Sequence, residues 1–175
     1  MLRNKATEGT LVMDIDDRLK QVNEAYMITT TKEEPGPVTR SVFVIKKAEK
    51  FDIFGSDNVV RYGQKVIIES NPYIFKKALY LSSTPQGPQS YSPISRKQEA
   101  SMHAEKAYIG QWIIDWPDPN YRLEMQGQPV TVASPLLLRH CQTQHYLASD
   151  NIRYAKNYGG EYEVMCHSYA TQYKT

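Results

Sequence analysis

Short apolar runs separated by turn residues dominate this chain, and few stretches carry a helical period. Leu11-Val12-Met13, Tyr26-Met27-Ile28, Val42-Phe43-Val44-Ile45, Val66-Ile67-Ile68, Leu79-Tyr80-Leu81, Trp112-Ile113-Ile114, Leu136-Leu137-Leu138 and Tyr162-Glu163-Val164-Met165 all read as strands. The breaks between them are rich in Gly, Pro, Asn and Ser, as at Glu34-Pro35-Gly36-Pro37, Ser70-Asn71-Pro72, Trp116-Pro117-Asp118-Pro119-Asn120 and Tyr158-Gly159-Gly160. The longest irregular piece runs from Pro85 to Ser101, a length that marks a functional or mobile loop. One helical pattern, sparse in apolar positions, is read over Arg96 to Tyr108.

The runs recur. A shift of 69 places Leu11-Val12-Met13 on Tyr80-Leu81-Ser82 and Val44-Ile45 on Ile113-Ile114. A shift of 70 places Val66-Ile67-Ile68-Glu69 on Leu136-Leu137-Leu138-Arg139. A third copy follows, with His145-Tyr146-Leu147-Ala148-Ser149 matching Leu79-Tyr80-Leu81-Ser82-Ser83, and Tyr162 to Met165 standing as its closing strand. Repetition of this kind signals a repeat-built fold, and closure protects strand edges that an open sheet exposes. The expected fold is therefore all-β, a β-trefoil of three pseudo-repeats. The first unit has no counterpart of Lys65-Val66-Ile67-Ile68, so the barrel is expected one strand short, either open there or completed by a neighbouring chain. The expected organisation is a tail over 1–8, the trefoil over 9–168 with its long loop at 85–101, and a tail over 169–175.

Composition narrows the function classes. The 175 residues hold 21 Lys plus Arg against 19 Asp plus Glu, a net charge of +2, which argues against a nucleic-acid binder with its basic stripe. A mean hydropathy of −0.57 and the lack of any apolar run near the roughly 20 residues of a membrane span argue against a membrane partner. Thirteen Tyr stand against 4 Phe and 2 Trp, a bias suited to strands and half-wet surfaces. Two cysteines make no disulfide framework, and the start carries no secretory signal, so a reducing interior is expected.

Five ordered segments then carry a likeness. They are Val59-Val60-Arg61-Tyr62-Gly63-Gln64, Ala78-Leu79-Tyr80-Leu81-Ser82-Ser83, Trp116-Pro117-Asp118-Pro119-Asn120-Tyr121-Arg122-Leu123-Glu124, Leu137-Leu138-Arg139-His140-Cys141-Gln142-Thr143 and Gly160-Glu161-Tyr162-Glu163-Val164. In order and spacing the chain resembles the cilia- and flagella-associated protein 161 family from about Gly9 to its end. The Tyr-Gly…Tyr-Leu-Ser pattern is also similar to MIR-type trefoil repeats. The resemblance implies a structural, non-enzymatic protein of the cytoskeleton. It would be a microtubule inner protein in the A-tubule lumen of ciliary and flagellar doublets, with α/β-tubulin and other inner proteins as partners. Longer family members carry an amino-terminal stretch with the first strand, from which this sequence departs.

Candidate chemistry is weak beside that reading. His140-Cys141, His145 and Cys166-His167 offer five imidazole or thiolate donors, of which four could ligate zinc, yet adjacent residues of a strand point to opposite faces and the Cys-x₂₋₄-Cys spacing of structural zinc is missing. One small buried cysteine and solvent-facing histidines are the plainer expectation, with no metal and no cofactor. Asp14-Ile15-Asp16-Asp17 lacks the Asn or Asp and the Gly that a calcium loop places next, since Arg18 and Leu19 stand there; a solvated turn is expected. No Gly-x-Ser-x-Gly, P-loop or dinucleotide fingerprint occurs, so no catalytic residues are assigned. A carbohydrate-binding, lectin-like trefoil is the rival function. However, Gln111-Trp112 occurs once and without the Gln-x-Trp spacing, and the aromatics at Phe43, Trp112 and Tyr162 are expected as repeat-related core residues. Partner-binding candidates are Tyr91, Arg96 and Lys97 in the long loop and Tyr169 and Tyr173 in the tail, because Tyr and Arg most often anchor interfaces.

Overall fold

The computed structural model of the chain describes residues 1–18, 25–33, 36–49, 57–156 and 159–169. Its strands are β1 (Thr10–Arg18), β2 (Ala25–Thr31), β3 (Phe43–Lys47), β4 (Lys65–Ser70), β5 (Tyr80–Ser82) and β6 (Gln98–Glu99). Then follow β7 (Ser101–His103), β8 (Gln111–Asp115), β9 (Leu137–His140), β10 (Tyr146–Lys156) and β11 (Gly159–His167). All eight apolar runs fall on strands. The helical pattern over Arg96 to Tyr108 does not form a helix; Gln98–Glu99 and Ser101–His103 are extended there. Pairing on both sides explains it: residues 98–102 are all buried, Gln98 and Glu99 laddered with β11, and Ser101 and Met102 with β2 and β5.

The strands join into one antiparallel sheet that closes on itself. β2, β7, β5, β4, β8, β9, β10 and β11 follow one another, and β11 returns to β2 through Glu161↔Thr31, Tyr162↔Thr30 and Glu163↔Thr29. β1, β3 and β6 hang from this ring on β2, β4 and β11 respectively. The architecture is thus an all-β closed eight-stranded barrel with extra strands, and the expected β-trefoil is not what the strands build. Two pairings account for the difference. β11 lies against β10 with Tyr146↔His167, as β7 lies against β5 with Tyr80↔His103, so Tyr162–Met165 takes the place of β7 in its unit and not, as expected, the place of Gln111 to Ile114. The strand that the repeat left out is not needed for closure either, because the β2–β11 ladder seals the wall. Among the described residues eleven strands divide over the three units as three, five and three, where three, four and four were expected.

The core fills the barrel with Leu11, Met13, Tyr62, Val66, Ile68, Leu79, Leu81, Met102, Trp112, Ile114, Leu138, Val164 and Cys166. Trp112 is completely enclosed; its indole Nε1–H donates to the Leu81 carbonyl at 2.8 Å and its ring lies 5.1 Å from the His140 ring. Tyr62 packs edge-on against Trp116, 5.2 Å between centroids, and its hydroxyl donates to Pro135 O. Of the three aromatics expected as repeat-related core, Trp112 is buried and Phe43 packs against the cluster. Tyr162 is only half-buried and sits 5.5 Å beneath Lys32 Nζ. The turn before β4 needs Gly63: its φ of +81° is left-handed, and a Cβ there would stand 2.8 Å from Gln126 Cγ.

Candidate partner interface

β11 alternates in the manner of a wall strand. Val164 and Cys166 face the core, which turns Glu161 and Glu163 to the outer face, two residues apart. Both carboxylates are nonetheless buried, each about 1% exposed, because each fastens a surface excursion over itself. Glu163 accepts the backbone N–H groups of Ile94 and Ser95 at 2.9 and 3.0 Å and the Tyr154 hydroxyl at 2.8 Å. Glu161 accepts the Thr29 hydroxyl at 2.5 Å and Arg40 Nη1 at 2.7 Å, tying down the turn at residues 38–41. A buried charge is tolerated only with such partners, and these charge-assisted bonds are about twice as strong as neutral ones. Burial and the Glu163 bond together push the Tyr154 phenol well above its ordinary value.

The long loop is therefore fastened rather than loose. Ser92 N–H donates to Lys97 O and Arg96 N–H to Ser92 O, closing a tight turn in which Arg96 adopts φ +60°. Gln86 Nε2 donates to the Arg96 carbonyl from the other limb of the loop. The Arg96 guanidinium lies 4.1 Å over the Tyr91 ring, and Ile94 at the tip is 48% exposed. Of the five interface candidates, the structure brings Tyr91 and Arg96 into contact and puts Lys97 on the same turn. The ladder of β11 with β6 ends at Cys166 opposite Gln98, so its register carries His167 toward the Lys97 position and Tyr169 follows, 70% exposed, its ring 5.9 Å from that of His167. Tyr173 lies outside the described residues.

The carboxylates that hold this surface were not among the sequence candidates. Their signal was present: Glu161 and Glu163 interrupt an apolar strand at period two, where an unpaired charge would be costly.

The other candidates resolve as structural groups. His140 is fully buried, contrary to the solvent-facing expectation, with Nε2 2.9 Å from Ile109 O and Nδ1 2.9 Å from Thr143 Oγ1. That geometry has Nε2–H donating to the carbonyl and Nδ1 accepting from the hydroxyl. Both cysteines are buried, and burial pushes the Cys166 thiol up to about 12. Among the described residues no three His, Cys, Asp or Glu side chains stand close enough to hold a metal ion. Asp14 to Asp17 lie within β1 where its register slips, not in a turn; Asp16 N–H donates to Asp14 Oδ1 and Asp17 pairs with Lys156. The Trp112 face that a sugar ring would need is sealed in the core.

His140 gives a pH prediction. Burial lowers its pKa below the ordinary 6.5, so in acid the unfolded chain binds a proton that the folded chain refuses. Its contribution to stability is complete above about pH 6.5 and declines as pH falls below that value. Urea midpoints between pH 7.5 and 5.5 are expected to drop for the native chain and to flatten in His140→Gln. An equal slope in both would remove His140 as the cause.

The comparisons with known proteins follow the same barrel. The family model described as Cilia- and flagella-associated protein 161-like domain matches residues 80–175. Cilia- and flagella-associated protein 161 of Danio rerio is 32% identical over 142 residues, covering 79% of this chain and 45% of that protein. The Bos taurus protein of the same name is 32% identical over 139 residues, covering 79% and 42%. The chain thus spans less than half the length of these relatives. In fold it is similar to the SDF2-like protein from Arabidopsis thaliana, with a TM-score of 0.73 and 19% identity over 97% of this chain and 85% of that one. It is also similar to the Saccharomyces cerevisiae protein O-mannosyltransferase Pmt1-Pmt2 complex bound to the sugar donor, at 0.69 and 16% over 97% of this chain and 22% of that one. At such identities the likeness speaks for the fold alone. A family model over more than half of the chain and relatives at about a third identity agree, and the chain belongs to the cilia- and flagella-associated protein 161 family.

Proposed function

We propose that this chain is a non-catalytic structural protein of cilia and flagella. It works as a microtubule inner protein in the A-tubule lumen of doublets, where it binds α/β-tubulin and neighbouring inner proteins and stabilises the axoneme. The observation that carries the reading is family membership combined with the fastened 91–97 turn. A surface ordered before binding loses little conformational entropy on docking, which suits a lattice component. Many copies bound along one filament retain each other through effective concentration, so modest single contacts suffice. The mechanism is mechanical: a closed barrel holds two loops at fixed positions and cross-links the lattice through them. No cofactor, substrate, nucleic acid or membrane enters it. The sealed face of Trp112 speaks against the sugar-binding alternative.

Stepwise salt extraction of isolated axonemes tests this. The protein is expected to remain with the doublets through salt that strips outer-surface proteins, leaving only when the doublet breaks up. Release at moderate salt contradicts a luminal position.

A further inference from the structure

The three repeat-related strands β1, β5 and β10 do not share the same surroundings. β5 has β4 on one side and β7 on the other, and β10 lies between β9 and β11. Among the described strands β1 pairs with β2 alone. On its other edge Arg3 bridges Thr10 and Leu11 N–H donates to Leu2 O at 2.8 Å. Beyond Leu11 no strand among the described residues lies on that edge. A groove of about 410 Å³ opens beside β1, lined by Asp14, Ile15 and Asp16 of the strand, by Val38 and Arg40 of the neighbouring turn, and by Ile74.

The walls of this groove are chemically distinct. Val38, 43% exposed, with Ile15 and Ile74 forms an apolar lining. Arg40 bonds Glu161 at 2.7 Å, which offsets its charge. Among the described residues Asp14 and Asp16 have no cationic side chain within ion-pair distance, while Asp17 is paired with Lys156. Among the described residues the groove's uncompensated charge is therefore negative. An unpaired strand edge is a template for an added strand, and alternate side chains of the incoming segment set its specificity. A second copy of this chain docking edge to edge about a twofold axis would set the aspartates against their own equivalents, which disfavours self-pairing.

We propose that the outer edge of β1 is a docking site for an extended segment of another polypeptide that alternates basic and small apolar residues. The segment continues the sheet along Met13 to Asp16, its Lys or Arg side chains meet Asp14 and Asp16, and its apolar side chains cover Val38 and Ile74. This site is separate from the 91–97 turn and does not depend on which assembly the protein joins.

The probe is a fluorescein-labelled heptapeptide of alternating Lys and Val, with an alternating Glu and Val peptide as its counterpart, titrated into the full chain. The Lys peptide is expected to bind about tenfold tighter than the Glu peptide, from two exposed ion pairs gained against two like-charge contacts. Backbone amide shifts are expected at 13–16, 38–40 and 74. Asp14→Lys combined with Asp16→Lys is expected to abolish the preference while the thermal midpoint holds, and Ile15→Pro to weaken both peptides by removing an edge N–H. Absence of binding, equal binding of the two peptides, shifts elsewhere on the barrel, or an unchanged preference in the double aspartate variant would each overturn the proposal. None of these outcomes bears on luminal placement, because no doublet is present in the experiment.

Discussion

Trp112→Ala is expected to lower the unfolding free energy by about 3–5 kcal/mol, the range for removing a large aromatic from a core that cannot collapse around the void. Trp112 has no exposed surface and stands where β8 meets both β4, through Val66, and β9, through His140. Its loss also leaves the Leu81 carbonyl without its 2.8 Å donor and His140 without its ring neighbour. Trp112→Phe separates the terms. It keeps much of the volume and gives up the hydrogen bond, with an expected cost of roughly 1–3 kcal/mol for the orphaned acceptor and the smaller ring. Urea unfolding followed by circular dichroism reads both variants. A cost below 1 kcal/mol for the alanine would mean that the core does not centre on this residue.

Glu163→Ala should produce the second large effect, and a local one. The substitution removes the acceptor of two backbone N–H groups and of the Tyr154 hydroxyl in one step, at a cost of roughly 2–4 kcal/mol. Hydrogen exchange locates the damage: the amides of Ile94 and Ser95 are expected to lose protection, while those of β4 and β8 on the far wall change only with global stability. Glu163→Gln keeps one carbonyl oxygen and replaces the other with a donor that faces donors, so its effect falls between. If amides 94 and 95 exchange equally fast in the native chain and in Glu163→Ala, the carboxylate is not what fastens the loop.

The sequence disclosed the strands and concealed their partners. Every apolar run became a strand, because a half-buried wall of this kind demands apolar side chains at alternate positions whatever its neighbours are. Pairing is a different matter. Tyr162–Met165 has the composition of a closing strand, yet its ladder with β10 and β2 is decided by the lengths of β10 and β11, eleven and nine residues. That long hairpin is what lets the barrel close at β2 without the strand the repeat had left unfilled. The short strands β6 and β7 carry polar Gln98, Glu99 and Ser101 into buried positions, where hydrogen bonds replace apolar character as the reason for burial. Composition cannot show such bonds in advance.

The candidate interface was visible as residue types and hidden as geometry. Tyr91 and Arg96 were recognisable as anchor residues in a long loop, and five residues of separation gave no sign that one stacks on the other. Glu161 and Glu163 were not among the candidates and are the groups that hold the loops in place. His140 is the mirror case: a polar residue expected outside, carried into the core because Ile109 O and Thr143 Oγ1 satisfy both ring nitrogens.

The most direct measurement of the account is a cryo-EM map of native ciliary doublets at side-chain resolution. A barrel with the strand order of this chain is expected inside the A-tubule, with the 91–97 turn in contact with tubulin or a neighbouring inner protein. A barrel placed on the outer surface of the doublet, or a lumen without it, would contradict the reading.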